Sequence, residues 1–262
     1  MKLMYIDCGM GAAGDMLTGA LLELLDGTER AEFVKEFNGL GIPGVVMETE
    51  PSVKCGVSGT HVHIYVNGIE EGEHTHDHGN HHSHDGHHHN SHNGMHEIGH
   101  IVRDHISASD KVKDDILKVY DIIADAESKA HGVPVTDIHF HEVGTMDAIA
   151  DVTAVCLLME RIKPQKIIAS PVNVGGGTVK CAHGILPVPA PATANILEGI
   201  PSYSGDIRSE LCTPTGAALL KYFAEDFGDM PEMSAERQGF GMGTKDFERA
   251  NALRVILGED LH

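Results

Sequence analysis

Between Glu73 and His100, twelve of the chain's twenty histidines are interleaved with Asp, Asn, Ser and Gly, and apolar residues nearly vanish. Such a stretch cannot bury a core. The folded body must therefore be assembled from what lies on either side. The expected organisation is an N-terminal α/β segment over 1 to 70, a disordered histidine-rich surface loop over 71 to 100, and an α/β segment over 101 to 262 that completes the same core. The tract is internal and broken by Asp77, Asn80, Asp85 and Asn90, unlike the terminal block of a purification tag. Neutral imidazoles bind nickel, copper and zinc, so His74, His76, His78, His81, His82, His84, His87, His88, His89 and His92 are expected to form weak, exchangeable sites that gather metal.

The flanking stretches read as alternating strands and helices, which predicts an α/β class with a mixed sheet and flanking helices. Leu3 to Ile6 has strand character, and the turn Asp7-Cys8-Gly9-Met10-Gly11-Ala12-Ala13-Gly14-Asp15 precedes a helical pattern through Met16, Leu17, Ala20 and Leu21. A glycine-rich turn at a helix start lets backbone N–H groups approach an anion, so Gly11 and Gly14 are candidates for a ligand's phosphate, with Asp7 and Asp15 flanking them. As a dinucleotide fingerprint the spacing is weak, because no acidic residue ends a clear second strand about 20 positions on. Residues 28 to 38 suggest a helix, and Val45 to Glu50 and Thr60 to Val66 suggest strands. In the second strand His61 and His63 share a face with Tyr65, a pattern that usually marks the solvated face of a sheet, with a ligand role for the pair as the less common alternative.

Further on, Ser109 is expected to cap a scaffold helix that runs to Gly132, and Lys166 to Ser170 reads as a strand. The triple glycine Gly175, Gly176, Gly177 follows that strand and is a second place where backbone can pass close to a ligand. Pro191 and Pro214 sit where helices begin, with Thr213 as an N-cap, which puts Cys181 and Cys212 near helix N-termini that lower thiol pKa; either sulfur is a candidate soft metal ligand, and a buried, inert cysteine is the commoner case. Gly239 to Lys245 reads as a glycine loop before a terminal strand, and Lys245 is one of few cations able to meet a phosphate.

The densest chemistry lies at His139-Phe140-His141-Glu142-Val143-Gly144-Thr145-Met146-Asp147-Ala148-Ile149-Ala150-Asp151. Two imidazoles two residues apart share a side if the chain is extended there, and the apolar run Ile149, Val152, Cys156, Met159 makes 146 to 162 a helix. Asp147 and Asp151 fall on one face of that helix, Asp147 in the first turn. The set His139, His141, Glu142, Asp147 and Asp151 suits nickel or zinc, and its carboxylates suit magnesium or manganese. His141, Glu142 and Asp147 are the candidates for ligand and base work.

Nineteen basic against thirty-nine acidic residues give a formal charge of −20, which repels a phosphate backbone and argues against nucleic acid. No apolar run reaches bilayer length and the start lacks a signal-peptide core, so a cytoplasmic protein without a membrane partner is expected. The five cysteines are widely spaced, odd in number and without a Cys-x-x-Cys pair, and read as thiols. The oligomeric state is open, a homo-oligomer included.

The motifs Asp7-Cys8-x-Met10-Gly11-Ala12-Ala13-Gly14-Asp15-Met16, Phe140-His141-Glu142-Val143-Gly144-Thr145-x-Asp147-Ala148-Ile149-x-Asp151, Gly175-Gly176-Gly177, His183-Gly184-x-x-Pro187-Val188-Pro189-Ala190-Pro191-Ala192 and Glu210-Leu211-x-Thr213-Pro214-Thr215-Gly216 occur in that order over nearly the whole chain. In this it resembles the LarC family, the nickel insertion proteins of nickel-pincer cofactor synthesis. The resemblance implies delivery of Ni(II) to pyridinium-3,5-bisthiocarboxylic acid mononucleotide, with one Ni–C and two Ni–S bonds formed, in a reaction tied to CTP and Mn(II) or Mg(II). It also implies a further C-terminal domain, so that these residues would bind nickel but need that domain, supplied separately, for efficient insertion. Two other classes fit the same residues: a non-catalytic nickel store or metallochaperone, and a metal-dependent phosphohydrolase using the carboxylates.

Overall fold

A computed structural model describes residues 1–70, 94–138, 140, 143–181 and 184–261, and the segment 71–93 with its ten histidines lies outside the described residues. The first strand, β1 (Lys2–Asp7), has Leu3, Met4, Tyr5 and Ile6 all buried, as expected of a strand covered on both faces. Next come α1 (Gly14–Leu22), α2 (Gly27–Asn38), β2 (Val45–Lys54), β3 (Val57–Val66) and β4 (Ile69–Glu70). Past the histidine tract lie α3 (Met95–His100), which runs into a π-helical turn at Ile101–His105, then α4 (Asp110–His131) and α5 (Met146–Ile162). Residues 95 to 100, expected within the loop, form α3, whose Ile98 is buried in the core.

The remaining elements are β5 (Lys166–Ala169), β6 (Val172–Asn173), β7 (Thr178–Cys181), β8 (Gly184–Pro187), α6 (Pro191–Ile196), β9 (Ser202–Tyr203), α7 (Pro214–Phe223), β10 (Asp226–Phe227), β11 (Met233–Met242) and β12 (Ala252–Asp260). One eight-stranded sheet runs in the order β10-β5-β1-β12-β11-β3-β2, with β4 also paired to β3. It draws strands from both sides of the histidine tract, and it is mixed: β1 is parallel to β5 and antiparallel to β12.

Helix starts follow their caps. The side chains of Ser109, Thr145 and Thr213 accept from backbone N–H groups in the first turns of α4, α5 and α7, and Pro214 occupies the first turn of α7. On the helical side of the sheet Met4, Ile6, Leu17, Leu21, Ile149, Val152 and Val255 join one large core. Leu3, Tyr5, Ile168 and Ile256 form a small second cluster on the other face.

One expectation is overturned by packing. The glycines at 239 and 241 belong to strand β11 and not to a loop. A Cβ at Gly239 would lie 2.1 Å from the Ala20 carbonyl oxygen and one at Gly241 1.7 Å from that of Met16, so these glycines let α1 lie directly on the strand. No helix among the described residues is long and apolar enough to cross a membrane.

Candidate metal and anion site

Three helix N-termini meet over β3. Gly14 and Asp15 begin α1, Asp147, Ala148 and Asp151 lie on the first turns of α5, and Thr213, Pro214 and Thr215 begin α7; together with Val62, Ile64, Glu70, Glu210, Thr244 and Lys245 they line a cavity of about 530 Å³. Asp151 rests on α1 so closely that a Cβ at Gly14 would stand 2.5 Å from its Oδ2. Five carboxylates therefore face one cavity, and Lys245 is the single cationic side chain among the described lining residues, its Nζ donating to Ser209 Oγ at 3.0 Å. Helix N-termini favour anions while clustered carboxylates favour cations. The chemistry that satisfies both is a divalent cation carrying an anionic ligand.

Of the residues singled out from sequence, Gly14, Asp147, Asp151 and Lys245 line this cavity together. His139, His141 and Glu142 lie outside the described residues, as do the ten tract histidines from His74 to His92. Their neighbours are fixed: Phe140 is buried against Tyr120, ring centroids 6.1 Å apart, and the Tyr120 hydroxyl donates to the carbonyl of Val143 at 3.1 Å. Asp7 is elsewhere. Its Oδ2 accepts from Arg254 at 2.7 Å and its Oδ1 from the Gly9 N–H at 3.1 Å, and it lines a separate cleft with Arg249 and Arg254.

Gly11, Gly175, Gly176 and Gly177 are not among the cavity's lining residues. Gly11 and Gly175 have φ of 80° and 79°, and a Cβ on either would fall 1.9 Å from the carbonyl oxygens of Leu211 and Ser209 respectively. These turns are laced to the 209–213 segment: Ala12 N donates to Leu211 O, Leu211 N to Val174 O and Thr213 N to Ala12 O. The lacing positions Glu210 and the N-cap of α7 at the cavity. A smaller, more apolar cleft of about 300 Å³ adjoins it, sharing Val143, Glu210 and Pro214 and lined also by Val179, Cys181, Leu186 and His131.

Of the two readings of the thiols, the buried and inert one describes Cys212. Cys212 is buried before α7, and burial, reinforced by the Glu210 charge, pushes its thiol up to about 12, so nearness to a helix N-terminus does not make it a thiolate. Cys181, half-buried, keeps a place at the apolar cleft.

Glu70 was not singled out from the sequence, and it joins a histidine pair that was. His61, His63 and Glu70 bring ligand atoms within 4.8 Å of one another. The alternation of β3 reads as a solvated face, yet His61 is only 8% exposed. The missed signal is Asn67-Gly68, both at positive φ, which turns β4 back so that Glu70 pairs with Tyr65.

Asp15 shows what the cavity costs the fold. Burial pushes its carboxyl up, offset in part by the Met16 N–H and by the charges of His61 and His63. A folded-state pKa above the unfolded value means that the unfolded chain ionises first as pH rises, so stability is lost through that window and stays lower above it. Asp15→Asn should therefore raise the melting temperature at pH 7, with the gain shrinking as pH falls through the usual carboxylate range. A thermal unfolding series against pH that shows no gain at pH 7 would refute the buried-charge account.

Fold and site together define an α/β protein with an acidic cavity built at one strand of a mixed sheet. Its family is more specific: the nickel insertion protein model matches residues 4–262, and the chain belongs to that family. A protein of Clostridium kluyveri named pyridinium-3,5-bisthiocarboxylic acid mononucleotide nickel insertion protein is 42% identical over 260 residues, which cover 99% of this chain and 62% of the relative. Proteins of the same name from Geobacillus kaustophilus and Desulfitobacterium hafniense are 38% and 37% identical, again over 99% of this chain and over 60% and 59% of their own lengths. The chain thus spans about three fifths of the length of these curated relatives. No solved structure matches.

Proposed function

We propose that this chain binds Ni(II) and delivers it to pyridinium-3,5-bisthiocarboxylic acid mononucleotide, acting as a nickel chelatase, or cyclometallase. The observation that carries the reading is the cavity, where Asp15, Asp147, Asp151 and Glu210 share a wall with the N-termini of α1, α5 and α7. Forming a nickel–carbon bond removes a ring proton from an anionic substrate, which calls for a base, metal ligands and donors for phosphate. Carboxylates supply the first two, and helix N-termini with Lys245 supply the third. The adjoining apolar cleft gives a flat ring a place beside them. A hard cation, Mn(II) or Mg(II), would be held by Asp147 and Asp151 and would neutralise the phosphates of CTP. His141 and Glu142 stand two positions and one position before Val143, which lines both cavities, and are proposed as ligand and base on that account.

The finer reading is that efficient CTP-dependent insertion uses a further, C-terminal domain that can be supplied separately; the relatives' greater length leaves room for one without placing it. The test mixes the purified chain with substrate, nickel, CTP and manganese, with and without that domain from a relative, and follows the visible absorbance of the nickel–sulfur product. Absorbance that appears only with the domain present supports the reading. Nickel binding with no product under either condition makes the chain a store or metallochaperone, and full turnover by the lone chain removes the need for the domain.

A further inference from the structure

We propose that His61, His63 and Glu70 form an open, two-imidazole, one-carboxylate site for a divalent first-row transition metal, through which nickel passes on its way to the cavity. The proposal rests on the nickel reading above for the identity of the ion, and on local geometry for the site. His61 and His63 project from the same face of β3 with ring centroids 4.4 Å apart and planes at 87°. Donor atoms of the three side chains lie within 4.8 Å of one another. Two donors sharing an ion through bonds of about 2.1 Å stand at most about 4.2 Å apart, so small rotations complete the site.

The protonation pattern favours a ligand role. The Nδ1 of His61 lies 2.8 Å from the carbonyl oxygen of Met242, which can only accept, so Nδ1 carries the proton and the neutral ring keeps a lone pair on Nε2. A histidine held to a backbone carbonyl by its other nitrogen is the usual outer-shell arrangement of a metal ligand. The ring of His63 has Glu50 at 3.3 Å from Nε2 and Glu70 at 2.6 Å from Nδ1. Nδ1 and Glu70 already face each other at 2.6 Å, so a cation entering between them takes the place of the Nδ1 proton and is shared with Glu70, while Glu50 keeps Nε2–H. An ion pair accounts for His63 and does not involve the buried His61 beside it.

Among the described residues, β11 meets β3 only at Gly241 and Thr60, and β4 joins β3 only from Tyr65 onward, so on that side no described strand pairs with His61, Val62, His63 or Ile64. Three protein ligands leave coordination positions for incoming groups, as in exchange sites and not closed structural ones. Two nitrogens and one oxygen suit nickel, zinc or iron better than magnesium or calcium. Glu70 also lines the cavity, and Asp15 there feels the charges of both imidazoles, so site and cavity adjoin. In sequence, the histidine tract begins within four residues of Glu70. Nickel gathered by the tract is thereby tethered to this site.

The test uses the full chain and nickel chloride. Crystals soaked with nickel should show anomalous density at the nickel edge within about 2.5 Å of both imidazoles. In solution, the His61→Gln/His63→Gln variant should lose one nickel per chain of those that resist a competing chelator, with its fold checked by circular dichroism. A crystal that holds nickel elsewhere and none at the triad overturns the proposal, and so does an unchanged count of chelator-resistant nickel in a folded variant. Product formed at the wild-type rate by that variant would overturn the transit role and leave the insertion reading intact. Nickel bound at the triad of a chain that never yields product would do the reverse.

Discussion

Alanine at position 241 should cost this protein about 3 kcal/mol or more and lower its melting temperature by roughly 10 °C, beyond the usual range for an added methylene. The added Cβ would stand 1.7 Å from the Met16 carbonyl oxygen, 2.6 Å from its carbon and 2.7 Å from the Ala20 nitrogen. All three are backbone atoms of one helix, so no side chain can rotate away and α1 must lift from β11. That movement also displaces Gly14 and Asp15, which belong to the cavity wall. Metal binding should therefore weaken together with stability. Gly27→Ala is the internal control, because nothing lies within 4 Å of a Cβ there at the start of α2. Thermal melts of the two variants decide the matter: equal small shifts would mean that the close approach of α1 to β11 is unimportant.

The same glycines show where sequence reading stops. Cap signals were legible because they are local: Ser109, Thr145 and Thr213 each act on a backbone N–H three residues ahead. Glycine is ambiguous by itself, since it marks a turn and a close backbone approach equally well, and only the tertiary contact between α1 and β11 tells them apart. Polar alternation in β3 has the same weakness. It reports that His61 and His63 share a face and is silent about what covers that face. Here the Met242 carbonyl, Glu50 and Glu70 surround it. Within the acidic cavity, Asp147 and Asp151 could be paired from their spacing of four on one helix. Asp15 and Glu210 join them from more than fifty residues away, through α1 and the 209–213 lacing, which no short-range pattern encodes.

On the cation site proposed for α5, Asp147→Asn and Asp151→Asn should each reduce manganese affinity by at least about a hundredfold while leaving the fold intact. The substitution keeps volume and removes a charge. Volume matters at Asp151, whose side chain fills the space that a Cβ on Gly14 would need. Charge matters because Asp15, Glu70, Asp147, Asp151 and Glu210 face one another across the cavity with a single lysine among the described lining residues. Like charges held together oppose folding, so each amide should leave the melting temperature unchanged or slightly higher. A group kept in place for packing would show the opposite balance, with stability lost and affinity kept. Asp7→Asn supplies that contrast. Its carboxylate is held by Arg254 on the far side of the glycine turn, outside the cavity lining, so removing its charge should cost stability and spare manganese binding. Manganese titration by electron paramagnetic resonance, alongside melts of all three variants, separates the two patterns. Unchanged manganese affinity in both Asp147→Asn and Asp151→Asn would take α5 out of the cation site and leave the cavity to bind its substrate by the helix N-termini alone.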